Sequence, residues 1–386
     1  MRITIVSRIY RPEPSAASLF LGSTADELLA RGHAVEVLTA RPPAGLAAAV
    51  DTRERVRTFP VIRDRRGYVR GYIPYLSFDL PLAFRLLFAR RPDVVFVEPP
   101  PTTGAVVRVV CALRRIRYVY DAADVWSDAA EMATTSPLVI RVLRALERFG
   151  MNGAAHIVTI SQGVADRVRE LGVVPDVTVT GFGADTTAFG FAPAAADSLF
   201  VYAGSYSAWH GTDILIDAFA DFLQSHSAYR LLFIGTGTER EVLEQKADSL
   251  GIRESIEFAD TVPPAELVPL LGRATATLAT LKPGIGYDYA FTSKAYSSLA
   301  SGTPVIFAGP GPTAPFIAAA NEHVRAGSAV AWDAAAIAAE MRRLADDPLS
   351  PAERSELALW TAREHSMGDV GIRVAQVLEG TARSGS

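Results

Sequence analysis

Short apolar runs alternate with amphipathic stretches along almost the whole chain. Runs rich in β-branched residues predict strands in the first half at 2–7, 34–40, 93–99, 117–123, 156–161 and 177–182. Six more strands are predicted in the second half, at 199–204, 230–235, 255–259, 275–280, 303–308 and 328–332. Helical spacing predicts helices over 16–31, 211–225, 238–249, 264–272, 292–301 and 334–346. Continuous apolar strands separated by helices indicate an α/β protein whose parallel sheets are covered on both faces.

The chain of 386 residues is too long for one ordinary core, and its pattern breaks once. Residues 183–198 are rich in Gly, Ala and Pro, so they predict a linker between two Rossmann-like domains. We therefore predict domains over 1–185 and 199–362, and a C-terminal helix over 363–386 that packs back on the first domain. Two doubly wound domains would form a ligand cleft at the carboxyl ends of their sheets.

Composition narrows the class of protein and its surroundings. A hydrophobic fraction of 49% and a charged fraction of 21% are typical of a globular chain. The single cysteine, Cys111, excludes an internal disulfide bond and a cysteine-rich metal site. The first residues fit a buried strand better than a signal peptide, and no apolar run is long enough to span a membrane. Together these features favour the cytoplasm.

Positive charge is concentrated in the first half of the chain. Residues 1–190 carry 24 Lys and Arg against 19 Asp and Glu (+5), whereas the remainder carries 14 against 23 (−9). A basic half either faces an anionic partner or reflects a bias towards arginine over any surface. The segments 81–91 and 138–149 are both basic and amphipathic. They either rest on an anionic membrane at the inner face or are ordinary helices with one face on the sheet.

Several sequence blocks, taken in order, resemble the retaining two-domain glycosyltransferases of family 4. Residues 31–39 read Arg-Gly-His-Ala-Val-Glu-Val-Leu-Thr, close to a signature of that family. The strongest block, 293–306, reads Ser-Lys-Ala-Tyr-Ser-Ser-Leu-Ala-Ser-Gly-Thr-Pro-Val-Ile, and 124–128 reads Asp-Val-Trp-Ser-Asp. Both resemble the branch that acts in surface-polysaccharide synthesis. The resemblance covers nearly the whole chain and implies the GT-B fold, in which two Rossmann-like domains face each other across a cleft.

The resemblance also implies that a nucleoside diphosphate sugar, expected to be UDP-linked, binds the second domain. Lys294 would stabilise the charge that develops on the leaving diphosphate, together with the N-terminus of the helix predicted over 292–301. Thr292 and Ser293 would cap this helix or touch phosphate. A solvated lysine in the first turn of a helix is the alternative interpretation.

The other donor-binding positions are assigned by their match to motifs of the family. They lie in glycine-containing turns, where backbone can approach a nucleotide, in a segment that resembles the base-binding strand, and near the expected ribose site. The assigned residues are Gly204, Ser205, His210, Gly235, Gly237, Thr261, Val262, Ser297 and Ser298. This chain departs from the family at two places. Ser205 and His210 replace an Arg and a Lys, and Tyr289 and Ser297 replace the paired glutamates, which puts the donor's identity and the activity in question.

Acceptor-side residues are expected in the first domain, in the first loop and after the strand predicted at 117–123. They are Glu13, Ser15, Trp126 and Asp128. A carboxylate at a strand end can orient an acceptor hydroxyl or take its proton. Asp124 is predicted to be catalytic together with Lys294, because it matches the aspartate of the related branch. A helix N-cap is the alternative role for Asp124. Trp126 would stack on a sugar or simply pack within its loop.

The function that the resemblance implies is transfer of a hexose to a polysaccharide, a glycolipid or a small natural product. Such an enzyme retains the anomeric configuration and uses neither a metal ion nor a cofactor. Two alternatives stay open. One is a nucleotide-sugar 2-epimerase, and the other is a catalytically degenerate protein that binds a sugar nucleotide or a partner. The lost glutamates keep the second alternative open.

Overall fold

A computed structural model describes residues 1–13, 15–43, 46, 53–63, 69, 72–134, 136–191 and 196–384. The chain forms two compact units: one contains Met1–Phe182 with Met367–Ser386, and the other contains Gly183–Ser366. The chain thus changes units after Phe182 and again after Ser366. The domain bounds of 1–185, 199–362 and 363–386 stay a prediction. Of the linker predicted over 183–198, residues 192–195 lie outside the described residues.

The first unit is built on a parallel sheet of seven strands. In chain order they are β1 (Arg2–Val6), β2 (Ala34–Ala40), β3 (Arg55–Phe59), β4 (Val94–Val97), β5 (Arg117–Asp121), β6 (His156–Thr159) and β7 (Val177–Val179). Their spatial order is β3-β2-β1-β4-β5-β6-β7, and every described pair is parallel. The order reverses between β1 and β4, which is the position where open α/β sheets bind ligands.

Helices cover both faces of this sheet. They are α1 (Ala16–Ala30), α2 (Tyr72–Phe88), α3 (Pro101–Arg114), α4 (Trp126–Ala133), α5 (Pro137–Asn152), α6 (Gln162–Glu170) and the C-terminal α14 (Met367–Arg383). Phe96 and Val119 share one hydrophobic core with α1 and α14. Tyr120 points the opposite way along β5, and its ring lies so close to Gly104 that a Cβ there would be 2.6 Å away. The helix α3 therefore packs on the other face.

The C-terminal helix α14 completes the core of the first unit. Val370, Val374 and Leu378 are buried in the cluster that also contains Phe20 and Leu21 of α1. Gly371 has no space for a side chain, because a Cβ there would lie 2.8 Å from a backbone oxygen of α1. The segment predicted to pack back on the first domain thus contains α14, which fills a face that α1 alone leaves partly open.

The second unit repeats the design with a parallel sheet of six strands in the order β10-β9-β8-β11-β12-β13. The strands are β8 (Leu199–Ala203), β9 (Arg230–Ile234), β10 (Ile256–Ala259), β11 (Ala276–Thr280), β12 (Val305–Ala308) and β13 (Gly327–Val330). The helices are α7 (Asp213–Leu223), α8 (Arg240–Ser249), α9 (Pro264–Arg273), α10 (Lys294–Ala300), α11 (Thr313–Ala320), α12 (Ala334–Asp346) and α13 (Pro351–Glu364). The order reverses between β8 and β11.

Each unit is therefore a Rossmann-like α/β domain, as the sequence predicts. The predicted elements do not include the edge strand β3 or the helices α3, α4, α6 and α11. The helices α2 and α5 are represented among them only by the amphipathic segments 81–91 and 138–149. The strand β3 reads Arg-Val-Arg-Thr-Phe, so it lacks the apolar run that is typical of a central strand. Its two arginines form ion pairs with Glu36 on β2. Within the described part of the chain, none of the helices is long and apolar enough to cross a membrane.

Arg354 is a fully buried cation that holds the second unit together. Its guanidinium donates to the carbonyl oxygens of Gly272 (3.0 Å), Ala274 (2.6 Å) and Leu349 (3.4 Å), so it joins α13 to the C-terminal end of α9. Burial lowers the pKa of Arg354. The carbonyl groups that accept from Arg354 lie at the C-terminus of α9, where the helix dipole stabilises a positive charge.

We expect Arg354→Met to lower the free energy of unfolding by about 3 kcal/mol, because buried carbonyl groups lose their donor. Arg363→Met on the same helix is the matched control, since the Arg363 side chain is 68% exposed and should contribute less than about 0.5 kcal/mol. Urea denaturation measures both variants. Equal stability of the two variants would contradict this role for Arg354.

Candidate active site

Lys294 and His210 form the centre of the predicted donor site in the second unit. Lys294 is the first residue of α10, and its Nζ lies 3.0 Å from Nε2 of His210 and 5.3 Å from the centroid of the Tyr202 ring. Gly204 makes this possible, because a Cβ there would lie 2.1 Å from Cε of Lys294. Residues that the sequence places 84 positions apart thus meet beside the end of β8, at the switch point of the sheet.

The electrostatics of this pair favour an anion. Burial lowers the pKa of Lys294 to about 8, and burial followed by the Lys294 charge lowers the pKa of His210 well below its ordinary value. His210 is therefore neutral at pH 7, so its Nε2 accepts from Lys294 and its Nδ1 carries the ring proton. Nδ1 has no hydrogen-bond partner among the described residues, and none of their carboxylates is within ion-pair distance of Lys294. An anion would compensate both groups.

Gly235 and Gly237, which are predicted to let backbone approach a nucleotide, allow the loops after β8 and β9 to pack closely together. A Cβ on Gly235 would lie 2.1 Å from the carbonyl oxygen of Gly204, and one on Gly237 would lie 2.3 Å from that of Tyr206. Tyr206 and Gly237 also form an isolated parallel bridge. These contacts fix the turn that contains Ser205, whose side chain is exposed and whose carbonyl accepts from Tyr202.

The remaining donor-side positions differ in how accessible they are. Ser298 is buried, and its hydroxyl donates to the carbonyl of Lys294 at 3.0 Å, so it supports α10 from within. Thr292 is also buried, and its N–H donates to Thr313 at 2.9 Å. Ser293, Ser297 and Val262 are half-buried, and Thr261 is exposed just after β10. Their assignment to the donor stays a prediction.

A second polar cluster lies at the switch point of the first unit, after β1, β4 and β5. Ser7 follows β1, and its Oγ lies 2.8 Å from Oε2 of Glu98, which follows β4. Burial raises the pKa of Glu98 to about 7, with Asp124 adding like charge. Burial, Glu98 and Asp124 together raise the pKa of Asp121 well above its ordinary value, and its Oδ1 has no partner among the described residues. Asp124 therefore faces two carboxyl groups that tend to stay protonated.

One cation, Arg8, balances this cluster electrostatically. It lowers the pKa of Glu98 against the larger effect of burial. Its guanidinium packs on the rings of Tyr75 and Trp126, 5.0 and 5.1 Å from their centroids, and donates to the carbonyl of Val69. Trp126 thus contacts a cation inside the protein, and only the half-buried remainder of its ring is available to a ligand.

The other acceptor-side residues already have protein partners. Both oxygens of Asp128 accept from Arg167, at 2.7 and 2.9 Å, and Glu13 accepts twice from Arg63. Ser15 caps α1 by accepting from the N–H of Ser18 at 3.0 Å. The structure does not give Asp124 the N-cap position, because Val125 occupies it and the carboxylate of Glu147 accepts from the first N–H groups of α4.

Glu98, Arg8 and Tyr75 are not among the site residues predicted from the sequence. Glu98 had a recognisable signal, because it directly follows a continuous apolar strand and precedes three prolines. Such an end-of-strand carboxylate lies at the switch point once β4 is known to neighbour β1. Arg8 and Tyr75 had no comparable signal, since their contact depends on how α2 packs.

Family models match both halves of the chain. The model described as a glycosyl transferase 4-like domain matches residues 17–183, and the model for glycosyl transferases group 1 matches residues 186–358. The fold and these matches define the class, a glycosyltransferase with two Rossmann-like domains. The chain belongs to the GT-B glycosyltransferases of the family 4 type, which confirms the resemblance and the fold class predicted from the sequence.

Individual relatives are distant. The glycogen synthase of Mycobacterium tuberculosis is 23% identical over 93% of this chain and 89% of its own length. The D-inositol 3-phosphate glycosyltransferase of Acidothermus cellulolyticus is 32% identical over 28% of this chain, a match that spans about a quarter of that relative.

Solved structures share the fold over nearly the whole chain. Anabaena HepE in complex with UDP and glucose has a TM-score of 0.73 at 18% identity, and it covers 98% of this chain and 99% of HepE. WaaG, a glycosyltransferase involved in lipopolysaccharide biosynthesis, has a TM-score of 0.70 at 18% identity, covering 98% of this chain and 100% of WaaG.

The raised pKa of Glu98 makes the stability of the protein depend on pH. The folded state holds this proton up to about pH 7, whereas the unfolded state releases it near pH 4.5, so stability falls as the pH rises between these values. We expect Glu98→Gln to abolish up to about 3 kcal/mol of this loss between pH 5 and pH 8.

Urea denaturation of the wild type and Glu98→Gln at both pH values measures the effect. Glu131→Gln, whose side chain is 48% exposed, should behave like the wild type. The same pH dependence in wild type and Glu98→Gln would show that Glu98 is not protonated in the folded protein.

Proposed function

We propose that the protein transfers a hexose from a nucleoside diphosphate sugar, UDP-linked, to a hydroxyl group of its acceptor with retention of configuration. The acceptor is a polysaccharide, a glycolipid or a small natural product. The observation that carries this proposal is the Lys294–His210 pair, a charged amine and a neutral imidazole at the switch point of the second unit. HepE, which shares the fold, was solved with UDP and glucose, and this supports the choice of donor.

The diphosphate of the donor would supply the negative charge that Lys294 lacks among the described residues. Two phosphates bring negative charge to Lys294, which raises its pKa and keeps it protonated during the reaction. His210 can donate through Nδ1 while its Nε2 accepts from Lys294, so one imidazole partly replaces the cations that the family carries at positions 205 and 210. Charge on the leaving group is thereby stabilised without a metal ion, as the resemblance implies.

The carboxyl cluster of the first unit would bind the acceptor hydroxyl. Asp124 orients this hydroxyl, and Glu98 is suited to take its proton because a pKa of about 7 matches a general base at neutral pH. Neutral Asp121 can donate a hydrogen bond to a sugar oxygen. The interdomain cleft that would unite donor and acceptor stays a prediction, and the proposed location is the cytoplasm, at the inner face of the membrane.

Transfer of an isotopically labelled sugar from UDP-sugars tests the proposal. We expect Lys294→Met to lose about 2–4 kcal/mol of transition-state stabilisation, roughly 10²-fold or more in turnover, since a preorganised charge is removed from the leaving group. Lys246→Met is the matched control, because Lys246 on α8 pairs with Asp213 and Asp217 and should leave turnover unchanged. Exchange at C2 without transfer would instead indicate an epimerase, and neither reaction would indicate a degenerate protein.

The roles within the carboxyl cluster can be separated by steady-state kinetics. We expect Asp124→Asn to lower kcat roughly a hundredfold with little change in KM for the donor, because it acts on the acceptor. Asp128→Asn should mainly lower stability, since it breaks the ion pair with Arg167. A rise in donor KM as large as the fall in kcat for Asp124→Asn would refute the acceptor assignment.

A further inference from the structure

The helix α2 exposes a stripe of large apolar side chains along its whole length. Ile73, Leu76, Leu80, Phe84 and Phe88 recur at intervals of three and four residues, so they lie on one face. All are at least 50% exposed, and Phe88 reaches 79%. Scattered exposed apolar residues need no explanation, but a continuous stripe of this kind marks an interaction site.

The stripe continues on neighbouring helices. The helix α3 packs between α2 and α5, with Arg114 of α3 donating to carbonyl oxygens at the end of α2. Leu113 of α3 is 72% exposed, and α5 exposes Leu138, Val142 and Phe149 at helical spacing. The guanidinium of Arg108 lies 4.0 Å from the centroid of Phe149, which joins α3 to α5. We call the outward side of α2, α3 and α5 the three-helix face.

Every exposed charge on the three-helix face is positive. The only acidic residues of the three helices are Asp79 and Glu147, and both are buried. Arg141 and Arg148 are exposed on α5 among its apolar residues, and the described part of the chain offers neither of them a carboxylate at ion-pair distance. Arg90, just after α2, is exposed as well.

We propose that the three-helix face binds the surface of an anionic lipid bilayer. Aromatic and aliphatic side chains would enter the headgroup region, and arginines would place their guanidinium groups at the phosphates, with their stems along apolar surface. The apolar side chains and the unpaired positive charges together favour an anionic bilayer over a second copy of the chain, because two positively charged faces would repel each other.

The location of the three-helix face indicates what kind of acceptor the protein uses. The helix α2 contributes Tyr75 to the ring pair on Arg8, and exposes Ile73 and Leu76 in the same turns. A bilayer on the three-helix face would therefore lie near the carboxyl cluster of the same unit. The consequence that the acceptor is lipid-linked rests on the proposed function, whereas binding to the bilayer does not.

Cosedimentation of the full chain with vesicles tests the proposal. We expect binding to vesicles of phosphatidylcholine mixed with phosphatidylglycerol, weaker binding at high salt, and little binding to phosphatidylcholine alone. The double variant Phe84→Ser/Phe88→Ser should bind about tenfold more weakly. Arg141→Gln/Arg148→Gln should also bind more weakly and lose part of the salt dependence.

The matched control is Val242→Ser/Leu359→Ser, which removes two exposed apolar side chains from the second unit and should bind like the wild type. Unchanged thermal unfolding shows that the variants fold, and calorimetry with UDP reports on the donor site separately. No binding to anionic vesicles, or equal binding by wild type and Phe84→Ser/Phe88→Ser, would overturn the proposal. If the wild type is a dimer and Phe84→Ser/Phe88→Ser is a monomer, the proposal is overturned and the three-helix face is a contact between two copies of the chain.

Discussion

The positive charge of Lys294 is the feature around which the polar site of the second unit is arranged. The protein partly buries this amine, and His210, a neutral imidazole, is its hydrogen-bond partner among the described residues. Such an arrangement costs free energy until an anion arrives, and it is therefore preorganised for one. Gly204 leaves space for the lysine stem, and Gly235 packs closely on the backbone of Gly204, so the loops after β8 and β9 fit against each other beside this side chain.

The polar cluster of the first unit consists mainly of carboxyl groups, in contrast to the lysine of the second unit. Three carboxyl groups, Glu98, Asp121 and Asp124, gather at the ends of neighbouring strands, and burial keeps part of them protonated. Arg8 prevents the cluster from being purely acidic and is itself held by Tyr75 and Trp126. A mixture of neutral and ionised carboxyl groups suits an uncharged hydroxyl ligand, just as the isolated lysine suits a diphosphate.

The sequence predicts those parts of the fold that leave a continuous pattern. Central parallel strands are buried on both faces, so β4 and β8 appear as uninterrupted apolar runs. The edge strand β3 places arginine between other residues, and it pairs with β2 while its two arginines form ion pairs with Glu36. Motifs single out Lys294 and His210 individually, but their contact across 84 residues could not be predicted. The ion pair of Asp128 with Arg167, 39 residues away, likewise depends on how α4 and α6 pack.

We propose that Lys294 and His210 form a binding site for a nucleoside diphosphate despite the replaced glutamates. Calorimetric titration of the wild type and Lys294→Met with UDP, GDP, ADP and dTDP tests it most directly. We expect the wild type to bind UDP in preference to the other three, and Lys294→Met to lose this binding. Failure of the wild type to bind any of the four, or equal binding by Lys294→Met, would contradict it.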